Sequence, residues 1–208
     1  MLNMIEGQSL FESAMVLAGS DHQVNILRQL SRWVKAGKLL QLRRGLYAIA
    51  PPYASHKPHP FTVAGRLIWP SYVSLQSALA WHGLIPEDVP VCTSITTRRP
   101  GAHRTPLGVF QFRHVKTEFF WGYKETWFDH GQTAFVARPE KALLDLCYLT
   151  SGADSPEYIR TLRIDPECTV DLSQLQNDAQ RSGSAKLQRF ADLIAAWLNE
   201  ERAGGRQP

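Results

Sequence analysis

The sequence predicts an α+β chain in two parts, a small basic N-terminal unit and a larger mixed unit behind it. Three observations carry this. Apolar residues recur at helical spacing in some segments and alternate in others. Four prolines within ten residues, Pro51 to Pro60, interrupt both patterns. Positive charge gathers ahead of the second unit: residues 22–86 hold eight Lys or Arg and no Asp or Glu. The net charge of the 208-residue chain is only +4, because the balance turns acidic from Glu140 onward. An acid-free cationic block inside a folded region points to a polyanion partner.

The first helix is expected from Ser9 to Leu17, ending at Gly19. Ser20 or Asp21 can cap a second helix, since a short side-chain oxygen accepts from free backbone N–H groups. That helix should run from Gln23 to Ala36, with Gly37 as its stop. At about 100° per residue, Ile26, Leu27, Leu30, Trp33 and Val34 form one stripe. Asn25, Arg28, Gln29, Arg32 and Lys35 lie opposite, and only Val24 breaks the separation. A solvated helix usually mixes Glu with Lys to gain i,i+4 pairs. This face has none. Arg reads guanine, Asn and Gln read adenine, and Lys and Arg hold phosphate.

Lys38 to Ala50 then reads as two short strands around Arg43-Arg44-Gly45. Gly45 can take positive φ cheaply, as a tight hairpin requires, and both arginines should project from the tip. A helix followed by a hairpin with a cationic tip is the layout of a winged helix-turn-helix, in which the helix enters the major groove and the wing meets the backbone. The expected DNA contacts are Asn25, Arg28, Gln29, Arg32, Lys35, Lys38, Arg43 and Arg44. This DNA-binding domain is expected over residues 1–52, with a Pro-rich linker over 53–60. That linker should be an extended strut coupling the two units weakly, so that each folds alone.

The second unit is expected over 61–201, with a disordered tail over 202–208. Helices are predicted from Phe61 to Ile68, from Ser74 through Trp81 to Gly83, and from Pro139, a favoured first-turn residue, to Leu149. Further helices should cover Pro156–Leu162, Leu172–Arg181 and Ala185–Glu201. Strands are predicted at Val91–Thr97, Val109–Val115 and Thr133–Val136. In the second of these Phe110 and Phe112 share one face. Arg98, Arg99 and Arg104 fall in a Pro/Gly loop between two strands and form a secondary basic loop.

Signals for chemistry are absent. There is no phosphate-binding P-loop, no G-x-S-x-G elbow, no H-E-x-x-H motif and no Asp-x-Asp pair. Glu87-Asp88 reads as a solvated turn pair, and Glu140 and Asp145 as capping or surface groups. His56-x-x-His59 is too few ligands for a metal site. No catalytic residue, metal or cofactor is expected, and the chain is not expected to be an enzyme. Cys92, Cys147 and Cys168 form no C-x-x-C pair and read as buried thiols in a reduced, cytoplasmic setting. No apolar run nears the ~20 residues that span a bilayer, and the N-terminus has no signal-peptide pattern.

Three segments carry a family resemblance. One is Gly37-Lys38-Leu39 leading to Arg44-Gly45-Leu46-Tyr47-Ala48. The second is Tyr72-Val73-Ser74-Leu75-Gln76-Ser77-Ala78-Leu79 followed by His82-Gly83-Leu84. The third runs from Val136-Ala137-Arg138-Pro139-Glu140 to Asp145. In this order they resemble the AbiE-type abortive-infection antitoxins, the repressor half of type IV toxin–antitoxin systems. The resemblance implies a winged-helix repressor that binds inverted repeats in its own promoter, with self-association on DNA. It also implies a C-terminal antitoxin domain that counters a nucleotidyltransferase-like toxin without a stable complex. Two other readings compete. One is a nuclease or nucleotidyltransferase that holds substrate through the basic unit. The other is a scaffold that grips an acidic protein.

Overall fold

A computed structural model of the protein describes residues 8–86 and 89–204. The expected acidic turn pair Glu87-Asp88 and the last four tail residues lie outside that range. The fold is mixed α+β, with a three-stranded and a six-stranded sheet.

The chain enters through strand β1 (Leu10–Glu12), which replaces the first half of the expected helix; only Ser13–Leu17 is helical (α1). β1 pairs antiparallel with the hairpin, Leu10 opposite Ala48. Its central residue decides this: Phe11 is buried and stacks on Tyr47, ring centroids 5.6 Å apart. Helix α2 (Gln23–Lys35) follows. Its N-cap is His22 rather than Ser20 or Asp21, and Ser20 Oγ accepts from the His22 N–H. The hairpin strands are β2 (Leu39–Arg43) and β3 (Leu46–Ile49). Gly45 turns between them at φ +81°. A side chain there would also crowd Ser13 Oγ, 3.3 Å from a built Cβ. Phe11, Val16, Leu30, Leu39 and Tyr47 make a small core, joined by Ile26, Trp33 and Val34 from α2.

The larger unit opens with α3 (Pro60–Leu67) and continues through β4 (Ser71–Val73), α4 (Leu75–Trp81), β5 (Val91–Thr96), β6 (Gly101–Thr105), β7 (Gly108–His114), β8 (Tyr123–Phe128) and β9 (Gln132–Ala137). The sheet order is β6-β7-β5-β4-β9-β8. β5 runs parallel to β7 and β4 parallel to β9, and the other neighbours are antiparallel. Phe110 and Phe112 of β7 both point into the core. Four helices close the chain: α5 (Pro139–Leu149), α6 (Pro156–Thr161), α7 (Leu172–Arg181) and α8 (Ala185–Gly204). α4, α7 and α8 all pack on α5, so every residue from Glu140 to Cys147 is buried. The expected tail over 202–208 is corrected at its first residue, Arg202. That residue is helical, and its guanidinium donates to the carbonyls of Pro166 and Cys168 at 2.7 and 2.8 Å.

The two units are not beads on a strut. Leu42, Leu46 and Ala48 of the hairpin belong to the same buried cluster as Val63, Leu79, Ile95 and Leu143. Gln132 fastens the Pro-rich segment to β9: its Oε1 accepts from His59 N at 2.6 Å and its Nε2 donates to the Lys57 carbonyl at 3.4 Å. Weak coupling through the linker is therefore corrected, and the physical reason is the apolar inner face of the hairpin. A fragment of residues 61–208 should melt well below the intact chain, and the intact chain should unfold in one transition by calorimetry. Equal melting temperatures for fragment and chain would refute the shared core.

All three cysteines are free and buried. Burial pushes the Cys92 and Cys147 thiols up to about 12 and raises Cys168 as well. Thiolate is the reactive form, so a disulfide reagent at pH 8 should release no chromophore from the native chain until denaturant is added. Rapid native labelling would contradict this.

Candidate nucleic-acid interface

Helix α2 lies on its core through Ile26, Leu30, Trp33 and Val34. This apolar stripe is narrower than the helical wheel suggests. Leu27, assigned to it, is 46 % exposed at its margin, and Val24 is 61 % exposed. The outward face therefore carries Asn25, Arg28, Arg32 and Lys35, all exposed, with Val24 and Leu27 among them. Gln29 is half-buried at the other margin. Val24 lies on the polar face as the wheel has it, whereas the exposure of Leu27 was missed because the wheel sorts residues by polarity and cannot see where the core ends. Arg32 and Lys35 in the last turn also suit the helix dipole.

Lys38, just ahead of β2, and Arg44, on the hairpin turn, are exposed too. Lys38 Nζ lies 5.4 Å from the Tyr53 ring centre. Among the described residues, Arg28, Arg32, Lys35, Lys38 and Arg44 make no ion pair.

Arg43 departs from its expected place at the tip. Its Nη2 donates to Glu12 Oε1 at 3.2 Å and to the Arg66 carbonyl at 3.1 Å, while Nη1 donates to the Arg44 carbonyl at 3.1 Å. A register shift in β2 between Gln41 and Arg43 turns the side chain toward the larger unit. Arg98 and Arg99 do lie in a loop, directly after β5, and are exposed. Arg104 does not. It sits within strand β6, where exposure alternates, and projects to the opposite side from His103.

A second cluster of polar groups is sealed inside. Tyr72 and Ser74 flank the end of β4, and Lys141 and Asp145 lie one turn apart on α5. Tyr72 OH and Ser74 Oγ donate to Asp145 Oδ2 at 3.0 and 2.8 Å, and Lys141 Nζ pairs with Asp145 Oδ1. Lys141 also sits over the Trp121 and Tyr72 rings, 4.9 and 5.6 Å from their centres. Gly122, at φ +78°, lies so close that a Cβ there would stand 2.9 Å from Lys141 Cγ. Burial raises the Asp145 pKa against the opposing pull of Lys141, and burial beside Asp145 raises that of Tyr72. Asp145 is thus no surface group, and Ser74, at the expected N-cap, spends its hydroxyl on Asp145 rather than on helix N–H groups. Glu140 is buried too, and its Oε1 accepts from Asp171 N ahead of α7 at 3.0 Å. None of these side chains has an opening through which a substrate could reach it: Tyr72, Ser74, Lys141 and Asp145 are each at most 1 % exposed. The cluster ties β4 to α5.

His59 and His56 serve packing. His59 Nδ1 accepts from Phe61 N at the start of α3, and its ring stacks on Phe128 at 3.8 Å. Burial lowers the His59 pKa. The His56 ring stacks on His130 at 4.4 Å. Among the described residues no three His, Cys, Asp or Glu side chains are grouped to hold a metal, and no helix is long and apolar enough to cross a membrane. The chain matches no protein-family model and no curated protein.

Proposed function

We propose that this protein is a sequence-specific DNA-binding repressor whose N-terminal residues act as a winged helix-turn-helix. We propose further that it is the antitoxin of an AbiE-like type IV pair, autoregulating its operon and countering a nucleotidyltransferase-like toxin in the cytoplasm. One observation carries the DNA reading. The exposed face of α2, Lys38 after it and the hairpin turn present Asn25, Arg28, Arg32, Lys35, Lys38 and Arg44 with no acidic side chain among the described residues paired to them. The antitoxin reading rests on the three ordered segments that resemble that family.

In this reading α2 lies in the major groove, where the N-terminal part of a recognition helix meets base edges. Asn25 reads adenine and Arg28 guanine, and Val24 gives the apolar surface that a thymine methyl needs. Arg44 at the turn, with Lys35 and Lys38, holds phosphates. The enzyme reading gains no support from the carboxylates, since Asp145 and Glu140 are buried and already engaged.

Substitutions separate the roles. Arg44→Ala should weaken binding to promoter and random duplexes by the same factor, as removal of a phosphate-binding cation does. Asn25→Ala and Arg28→Ala should cost about 1–3 kcal/mol on the promoter and much less on random DNA, the usual worth of a base-reading side chain. Fluorescence anisotropy on both duplexes makes the comparison. Equal losses on both DNAs for all three variants would reduce α2 to a nonspecific grip.

A further inference from the structure

The groove between the hairpin and the larger unit is cationic and belongs to neither unit alone. β2, the edge strand of the small sheet, lies against β6, the edge strand of the large one. Between them runs an open groove of about 540 Å³ with Arg43 on one wall and Arg98, Arg99 and His103 on the other. Trp69, 65 % exposed, lies along it. No Asp or Glu lines it. Glu12, the partner of Arg43, lines a neighbouring cavity instead.

The groove is built, not merely charged. Thr96 is buried, and its Oγ1 donates to the Pro70 carbonyl at 2.7 Å while accepting from Arg98 N at 3.1 Å. The His114 ring meets the Arg98 carbonyl at 3.1 Å. The loop backbone is therefore fixed while both guanidinium groups stay exposed and make no ion pair among the described residues. Arg43 is clamped by three acceptors, yet its buried Nε has no partner. The His103 ring is braced edge-on by Phe112 at 5.5 Å. Arg43 has Glu12 as its counter-charge, but Arg98 and Arg99 have none among the described residues, and holding these two adjacent cations beside Arg43 costs self-repulsion, which a bound polyanion relieves.

We infer that this groove is a second phosphate track, holding the DNA backbone that flanks the site read by α2. The inference rests on the DNA-binding reading above and deepens it. Continuity argues for duplex DNA over another polyanion. Arg43 walls the groove, and Arg44, the next residue, stands on the hairpin turn. A duplex strand offers one phosphate per about 3.4 Å of helix axis, so consecutive arginines on a fixed loop match neighbouring phosphates. The Trp69 ring gives an apolar face for deoxyribose between them. The larger unit is then part of the DNA-binding surface.

The test uses the full-length protein and a duplex carrying its own promoter. Arg98→Ala/Arg99→Ala, and separately Arg98→Glu/Arg99→Glu, are compared with the wild type across a salt series. Both pairs lie on the exposed surface, so circular dichroism should match the wild type. The alanine pair should lower the steepness of log K against log salt by about 2, one for each phosphate no longer neutralised. The glutamate pair should lower it further, and the hydroxyl-radical footprint should shorten at one flank while the centre stays protected. A wild-type slope and footprint in both double variants, with Arg28→Ala still crippled, would overturn the groove and leave the α2 reading intact. The same outcome together with abolished binding to polyglutamate would assign the groove to an acidic polypeptide instead. Failure of the wild type to bind DNA at all would overturn both.

Discussion

Replacing Lys141 by methionine should destabilise the protein by about 3–5 kcal/mol, the usual cost of removing one partner from a buried ion pair. The loss of the ammonium strands the Asp145 carboxylate, 1 % exposed, with only the Tyr72 and Ser74 hydroxyls. Changing both partners, Lys141→Met with Asp145→Leu, removes the stranded charge. The double variant should recover much of the stability lost by the single one. The pH dependence has a definite sign. Burial raises the Asp145 pKa above its ordinary 3.8, and the change to Met removes the Lys141 cation that opposes the rise. A carboxyl with a raised folded-state pKa favours folding below its unfolded value and loses that contribution as pH rises through the folded value. The gap between wild type and Lys141→Met should therefore be widest near neutrality and narrow as pH falls toward the unfolded pKa. Urea titrations of both proteins at several pH values measure it. A gap that is constant with pH, or a double variant no better than the single, would mean the cluster is held by packing alone.

How much of this was legible in the sequence varies by element. Helices α5 and α7 start and end where the sequence predicts, because Pro139 fixes a first turn and Asp171 a cap, its Oδ1 accepting from Gln174 N at 3.0 Å. Strands β1, β4 and β6 were not legible. Leu10-Phe11-Glu12 and Ser71-Tyr72-Val73 are three residues each, too short to show a period, and Gly101–Thr105 has no apolar alternation. β1 and β4 take partners from distant parts of the chain, as when Leu10 meets Ala48 and Val73 meets Val136, whereas β6 pairs with the adjacent β7, Thr105 opposite Gly108. Lys141 and Asp145 show the limit of polarity as a guide. A Lys and an Asp four apart on a helix read as a surface pair, and only the helices packed around α5 make them a buried one. For the candidate interface, composition locates the basic block and periodicity locates the face. The fold-back of Arg43 depends on Glu12 and Arg66, residues that nothing local connects to it.

The central claim is that the acid-free surface of α2 and the hairpin grips DNA. Arg28, Arg32, Lys35, Lys38 and Arg44 are all exposed there. Each neutralised phosphate contributes roughly −0.9 to the slope of log K against log salt. With Arg28 on a base and the other four cations, Arg32, Lys35, Lys38 and Arg44, on phosphates, the slope is about −3.6 or steeper, and affinity falls by at least ~10² between about 50 and 200 mM salt. The large magnitude separates a built interface from incidental surface charge. Sequence preference must accompany it, because Asn25 and Arg28 are assigned to bases. The most direct measurement is therefore a salt-series titration of the intact protein against its own promoter and a scrambled duplex of equal length. The predicted result is a steep slope on both DNAs with tighter binding to the promoter throughout; a flat dependence, or equal affinity for the two duplexes, would contradict it.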